Sequence, residues 1–224
     1  SSAWFYAGVP LGLIASSISL IGVLQLADSL DQTRYLVGES LLAIFYGGSA
    51  SLFGYLNQCK MNIKRERKIH SNIAKLFVFI LSTLPLMVGM HNYTGIFAFY
   101  DFSTVFIFVA IASAFLLINR DESKSIYYLV CETMVVASLA SVIIALVSYT
   151  TYQGHLPLLG PSIAIGILGP LYGAFVIFQC ATFFPEANLR EINFMQISWH
   201  LLEICGFWIL MVLAPESFLE MFGG

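Results

Sequence analysis

Two acidic side chains lie inside apolar segments, which makes them the first candidates for chemistry. Glu132 stands about two turns into an apolar segment that begins near residue 126. Glu203 follows His200 by three positions in another such segment, so the two side chains share one face of a helix. A charge at the centre of a bilayer costs about 3 kcal/mol or more unless it is paired. Glu132 is therefore either a proton-exchanging or partner-pairing carboxylate or an interfacial group near the headgroups. His200 and Glu203 form either a functional pair or a structural polar contact between helices.

The four histidines form a second possible site. His70 and His200 fall near the inner ends of apolar segments, and His91 and His155 fall near the outer ends. Two histidines at each membrane face is the number that a cytochrome b with two haems requires. Histidines at the ends of spans also commonly face headgroups, and on that interpretation the protein has no cofactor. We favour the second interpretation and keep haem b as the alternative.

The composition places all of these groups in a membrane. Hydrophobic residues make up 58% of the 224 residues and charged residues only 10%, and the mean hydropathy is +0.84. A soluble domain of this size has too little interior to bury so much apolar surface. The formal net charge of −3 argues against a nucleic-acid partner. We expect an integral membrane protein whose solvent is the lipid bilayer.

Seven apolar segments have the length of a spanning helix. They cover about 4–26, 36–57, 71–91, 98–118, 126–149, 158–184 and 194–214. The predicted fold is therefore an all-α, polytopic protein with one transmembrane domain over residues 1–224. The loops between segments are short, so we expect the protein to act within the bilayer or through a partner.

The basic residues predict the orientation of these spans. Nine of the ten lysines and arginines fall on one side, most of them in the 60–68 loop, and Arg34 alone falls on the other. Cytoplasmic loops carry the excess of positive charge. The predicted topology has the N-terminus inside and the C-terminus outside.

A repeat relates the first two spans to the fifth and sixth. At an offset of 122 residues, matching pairs include Ser16 with Ser138, Ser19 with Ser141, Ser40 with Ser162 and Gly47 with Gly169. Two hairpins, about 5–57 and 126–184, would then be parallel copies that flank a central hairpin at 71–118, with 194–214 as an extra helix. Chance similarity between apolar segments is the alternative.

The sixth span carries the residues best suited to close helix packing. Gly166, Gly169 and Gly173 project to nearly one side, where a neighbouring helix could approach closely. Pro161 stands in the first turn, where its missing N–H is tolerated. Pro170 lies in mid-span, where it should kink the helix and free the carbonyl of Gly166.

This span also carries a resemblance to a known family. The residues Leu159, Gly160, Pro161, Ala164, Leu168, Leu171, Tyr172, Gly173 and Ala174 form the pattern L-G-P-x-x-A…L-x-x-L-Y-G-A. The pattern resembles the last transmembrane hairpin of the flagellar stator MotA and of the biopolymer-transport proteins TolQ and ExbB. The segments Leu11–Ile14, Ser40–Ser49 and Asp101–Ser103 are similar to the first two helices of that family. Only the transmembrane hairpins are covered, about 110 of the 224 residues.

The resemblance implies a function. Members of that family assemble as rings around single-span partners and convert ion flow into mechanical work. It implies a stator-like ion-channel or scaffold subunit of a larger complex in a bacterial inner membrane, with other membrane subunits, a single-span protein and copies of itself as partners. Glu132 and the small and proline residues of the sixth span would then line an ion path or a partner contact. Pro170 stands where the family has a polar Thr, which removes a hydroxyl from such a path.

A respiratory complex is the alternative context. Trp199, His200, Glu203 and Trp208 resemble one helix of cytochrome oxidase subunit III, so a haem-binding or accessory respiratory subunit stays open. The sequence has no Walker loop, nucleophile elbow or zinc-ligand spacing. We favour a non-catalytic subunit and leave an enzyme open.

Overall fold

Long α-helices make up almost all of the chain that the structure describes. The structure is a computed structural model, and it describes residues 2–26, 30–60, 72–93, 95–119, 126–151 and 156–183. The helices are α1 (Ser2–Leu26), α2 (Leu30–Lys60), α3 (Asn72–Tyr93), a 3₁₀ helix (Ile96–Phe99), α4 (Phe102–Ile118), α5 (Ile126–Thr151) and α6 (Leu156–Phe183). The all-α prediction is confirmed for these residues. The predicted seventh helix at 194–214 lies outside them.

Four segments of this structure are long and apolar enough to cross a membrane. They are Tyr35–Gly54, Ile96–Ile118, Tyr128–Thr151 and Pro161–Cys180, and α1 adds a shorter apolar stretch, Ala7–Gly22. Helices satisfy their own backbone hydrogen bonds, which is why they are suited to hydrocarbon. The protein is therefore a helical membrane protein.

The helices α1 and α6 form the centre of the bundle. α1 packs between α2 and α6, and α6 also contacts α5, α4 and α3. Leu13 and Ile14 of α1 and Ile163 and Leu171 of α6 are almost completely buried. Neither central helix has a polar side, because each is covered from several directions by its neighbours.

The contact between α1 and α2 depends on glycine. A Cβ atom added to Gly47 would lie 2.7 Å from Gly12 Cα, and one added to Gly12 would lie 3.1 Å from Gly47 Cα. Gly8 also lies against Gly47 and against Ser51, whose Oγ accepts a 2.9 Å hydrogen bond from the backbone N–H of Val9. The two backbones touch directly, as in the close helix pairs of membrane proteins.

The two hairpins of the proposed repeat pair their helices in different registers. In the first, Ser16 Oγ and Ser40 Oγ lie 2.6 Å apart, and Gly47 lies against Gly12. The offset of 122 would place Gly169 against Met134, but Gly169 lies against Ser141 instead. The matched residues therefore do not occupy equivalent contacts.

A polar contact ties α3 to α6. Gln179, which is buried, donates a 2.9 Å hydrogen bond from Nε2 to Thr83 Oγ1 and accepts one of 3.4 Å from Ser82 Oγ. Most other side chains of α3 between residues 76 and 89 are exposed and apolar, as lipid-facing residues are. The amide therefore fixes where a sparsely packed helix meets the bundle.

Candidate functional site

The fourth predicted span is broken near its N-terminal end. The sequence predicts a helix from 98 to 118, but the chain forms the 3₁₀ helix Ile96–Phe99, two non-helical residues and then α4. Gly95 begins this segment with φ 85°, a conformation that residues with a Cβ rarely adopt. At about 1.5 Å per residue, the 17 residues of α4 reach only about 25 Å, which is less than the ~30 Å hydrocarbon core. The candidate span Ile96–Ile118 therefore includes the break.

Asp101 starts α4 at this break. Its backbone is extended, and its Oδ2 accepts hydrogen bonds from Thr104 N at 2.7 Å and from Thr104 Oγ1 at 2.6 Å. Aspartate favours this position because its carboxylate replaces a missing backbone acceptor of the first helical turn. Thr104 is fully buried. The Asp101 carboxylate thus accepts hydrogen bonds from one backbone amide and one hydroxyl group at the N-terminus of α4.

Tyr172 of α6 hydrogen-bonds to the backbone on both sides of the break. Its hydroxyl donates a 3.0 Å hydrogen bond to Phe99 O and accepts a longer one, 3.4 Å, from Asp101 N. Backbone groups released in hydrocarbon must find partners within the protein. One hydroxyl therefore provides a hydrogen-bond partner for both a carbonyl and an amide at the break.

The Tyr172 ring lies where α4, α5 and α6 meet. Phe108 packs edge-on against it, with ring centroids 6.0 Å apart and planes at 78°. Phe108, Ala112 and Ala137 form a buried cluster around the tyrosine, with Met134 packed against it. Since the ring is held on several sides, its hydroxyl is directed at the break.

The glycines of α6 are in contact with α5 of the same chain. A Cβ added to Gly169 would overlap with Ser141 Cβ and Oγ, and one added to Gly173 would overlap with Ser138 Oγ. Ser138 Oγ donates to Met134 O at 2.8 Å and to Gly169 O at 3.4 Å. These two glycines therefore hold α5 and α6 together within one subunit.

The other predicted residues of α6 occupy different environments. Gly166 and Pro170 are buried, whereas Pro161 is exposed near the start of the helix. Glu132 on α5 is half-buried, between the buried Cys131 and Thr133. The structure thus puts Pro170 within the bundle and Pro161 at its surface.

Only one of the predicted histidines lies in the part of the chain that the structure describes. His91 is exposed near the C-terminal end of α3. His70, His155, His200 and Glu203 lie outside the described residues. Within residues 2–26, 30–60, 72–93, 95–119, 126–151 and 156–183, no three His, Cys, Asp or Glu side chains come together as a metal site. The haem alternative stays a prediction, because three of its four histidines lie outside these residues.

Asp101 is the site residue that our sequence analysis missed. It was assigned only to the resemblance, although it lies within the apolar segment Ile96–Ile118. The signal was available, since an aspartate directly before an apolar run is a typical first residue of a helix. A carboxylate at membrane depth is a functional candidate of the same kind as Glu132.

Comparison with known proteins finds no family model, curated protein or solved structure that matches this chain.

Removing the tyrosine hydroxyl tests the role of this cluster. We expect Tyr172→Phe to destabilise the purified protein by about 1 to 3 kcal/mol, because Phe99 O and Asp101 N lose their partner. Thermal unfolding in detergent measures the effect. Tyr46→Phe on α2, a helix that packs mainly against α1, is the control loss of a tyrosine hydroxyl. An unchanged midpoint for Tyr172→Phe would show that the hydroxyl does not hold the break.

Proposed function

We propose that the protein is an integral membrane subunit of a larger complex, of the stator-like ion-channel or scaffold kind. In this proposal the chain has seven spans with the N-terminus in the cytoplasm, and it lies in a bacterial inner membrane. Its partners are other membrane subunits, such as a single-span protein or copies of itself.

The observation that carries the proposal is the set of contacts made by the L-Y-G residues of α6. Tyr172 joins α6 to the break before α4, and Gly173 joins α6 to α5. Tyr172 and Gly173, which belong to the pattern that carries the resemblance, therefore hold α4, α5 and α6 together. The carboxylate of Asp101 lies at this contact, within a candidate membrane span. A carboxylate kept at that depth is the kind of group that ion pathways and partner contacts use.

The second support is the nature of the described chain. The described residues are almost all helical, and four of their segments are apolar and long enough to cross a membrane. A protein built in this way acts inside the bilayer or through neighbours. Small-residue faces do not by themselves identify the neighbours, because Gly47, Gly169 and Gly173 are already occupied by helices of the same chain.

Purification in a mild detergent tests the proposal. We expect a particle clearly larger than the 24.8 kDa chain, with defined additional subunits identified by mass spectrometry. We expect Glu132→Gln to leave that particle intact and, in proteoliposomes made from the complex, to reduce any ion flux. A particle of one chain alone would contradict the proposal. A Soret band with reducible α-bands would favour the haem-binding respiratory subunit instead.

The orientation is tested separately by labelling single cysteines placed in the 60–68 loop. The basic residues of that loop predict that it lies in the cytoplasm. Labelling by an impermeant reagent from the outer face of intact cells would overturn the topology.

A further inference from the structure

Two cysteines lie at the same end of the α5–α6 pair. Cys131 follows closely on Tyr128, where one candidate span begins, and Cys180 is the last residue of another, Pro161–Cys180. Both are thiols in this structure, and neither belongs to a disulfide. They are far apart in the sequence, so their spacing gives no sign of a pair. The packing of the two helices determines how close they come.

The helices α5 and α6 run in opposite directions along a close contact. Gly169 of α6 lies against Ser141 of α5. Gly173, one turn further along α6, lies against Ser138, which comes almost one turn earlier in α5. A Cβ added to either glycine would overlap with its serine, so the two backbones come unusually near each other here.

This register places the two cysteines opposite each other. Cys180 follows Gly173 by seven residues. Cys131 precedes Ser138 by the same number. Seven residues are about two helical turns, so each cysteine lies on the same side of its helix as the residue from which it is counted. Because the helices are antiparallel, the two cysteines face each other at one level.

The hydrophobic contacts agree with this register. Cys131 is buried in a cluster with Val135 of α5 and Ile177 of α6. Ile177 precedes Cys180 by three residues, so the α6 residue in the cluster with Cys131 lies almost one turn before the second thiol. Cys180 itself is half-buried. One thiol is thus enclosed, and the other is partly accessible.

Two thiols in this arrangement can form a disulfide. The bond requires Cα atoms about 4.4 to 6.8 Å apart, and a helix pair packed through glycine and serine brings facing Cα atoms close. A small disulfide reacts first with the accessible Cys180 thiol, which forms a mixed disulfide and releases one small thiol. Cys131 then attacks Cys180 Sγ, the second small thiol leaves, and the internal S–S bond closes. Two cysteine thiols are oxidised, the small disulfide is reduced to two thiols, and each cysteine proton passes to a departing thiol.

We propose that Cys131 and Cys180 are a redox-sensitive thiol pair, which small disulfides convert to an internal disulfide between α5 and α6. The chain joins α5 to α6 at Thr151 and Leu156, so the bond would fasten the opposite end of the helix pair. The basic residues predict that this end faces the cytoplasm, where thiols are kept reduced and disulfides are transient. The site is therefore a reversible one. It does not depend on the proposed function, because both thiols belong to one chain.

Oxidation of the full chain in native membranes tests the thiol pair. Cys59 and Cys205 are replaced by serine, so that only Cys131 and Cys180 remain. Dithiodipyridine, a membrane-permeable disulfide, is the probe. We expect the intact chain to lose two hydrogen atoms, to release two thiopyridones and to yield peptides linked through residues 131 and 180. Reductant should restore the original mass.

A displaced thiol is the matched control. Cys131→Ser with Leu129→Cys, in the same background, keeps two thiols at this end of the helix pair but moves one of them about 200° around α5. We expect this variant to close an internal bond at least about tenfold more slowly than the thiol pair. Equal rates would overturn the proposal. Two thiols of the native pair that stay unmodified, stable addition of two pyridylthio groups to them, or a bond between two chains would overturn it as well.

Thermal unfolding in detergent gives an independent readout. A bond between the two cysteines closes a loop of about 50 residues and restricts the unfolded chain. We expect the oxidised pair to unfold about 5 to 10 °C above the reduced pair, and reductant to remove the difference. Cys180→Ser treated with the same probe should show no rise in the midpoint. An oxidised pair that unfolds at or below the reduced midpoint would contradict the facing geometry of the two thiols.

Discussion

Leucine at Gly47 is expected to open the α1–α2 hairpin, whereas leucine at Gly48 is expected to leave it closed. A side chain at position 47 meets the backbone of Gly12 at 2.7 Å and 2.9 Å, and helix backbone cannot rotate away as a flexible side chain can. Overpacking of a tight contact costs about 1 to 3 kcal/mol, and a rigid backbone contact falls at the upper end. We expect a loss of about 3 kcal/mol in the free energy of unfolding.

The two variants add the same apolar side chain to adjacent positions of one helix, so helix propensity and membrane insertion are matched. Denaturant unfolding of the purified chain in detergent measures the difference, and a cysteine pair across the hairpin reports its opening. Equal stabilities for Gly47→Leu and Gly48→Leu would mean that α1 and α2 do not meet through this glycine.

The second large effect is expected at the contact between α5 and α6. Gly173→Ala places a methyl group on Ser138 Oγ and 3.0 Å from Met134 O, and we expect it to destabilise the protein by about 1 to 3 kcal/mol. Ser138→Ala removes the overlapping hydroxyl. The double variant should therefore recover most of the stability that Gly173→Ala alone loses, although Ser138→Ala by itself also removes native contacts.

A double-mutant cycle measures this recovery as a coupling energy between the two positions, which we expect to be about 1 kcal/mol or more. Ser141→Ala, one turn along α5, is the control second site, because its Oγ faces Gly169 rather than Gly173. Additive effects of Gly173→Ala and Ser138→Ala would show that the two residues do not touch. Recovery by Ser141→Ala instead would indicate a different register of α5 against α6.

Hydropathy was sufficient to predict the helices but not their partners. Six of the expected segments coincide with α1 to α6, because a long apolar run has few alternatives to a helix in lipid. The glycines at 169 and 173 predict a close approach, but a stripe of small residues does not specify which helix comes near. Their neighbour proved to be α5, which the sequence could equally have assigned to another subunit.

The fourth span shows why local breaks escape such an analysis. The hydropathy of residues 96–118 is continuous, so averaging over a window passes across Asp101. What permits the break is Tyr172, a residue more than 70 positions further along the chain. A contact of that sequence separation has no local pattern. The seventh span, the orientation and the role of Glu132 stay predictions.

The break before α4 depends on Tyr172, which is synthesised much later than α4, and this order matters for biogenesis. α4 leaves the ribosome long before α6, and until Tyr172 arrives the carbonyl of Phe99 and the amide of Asp101 have no partner from α6. The N-terminal end of α4 is therefore expected to reach its final packing only after translation has passed α6. A nascent chain that stops after α5 should remain a substrate for membrane quality control, and pulse-chase turnover of chains ending at 151 and 183 would reveal the difference.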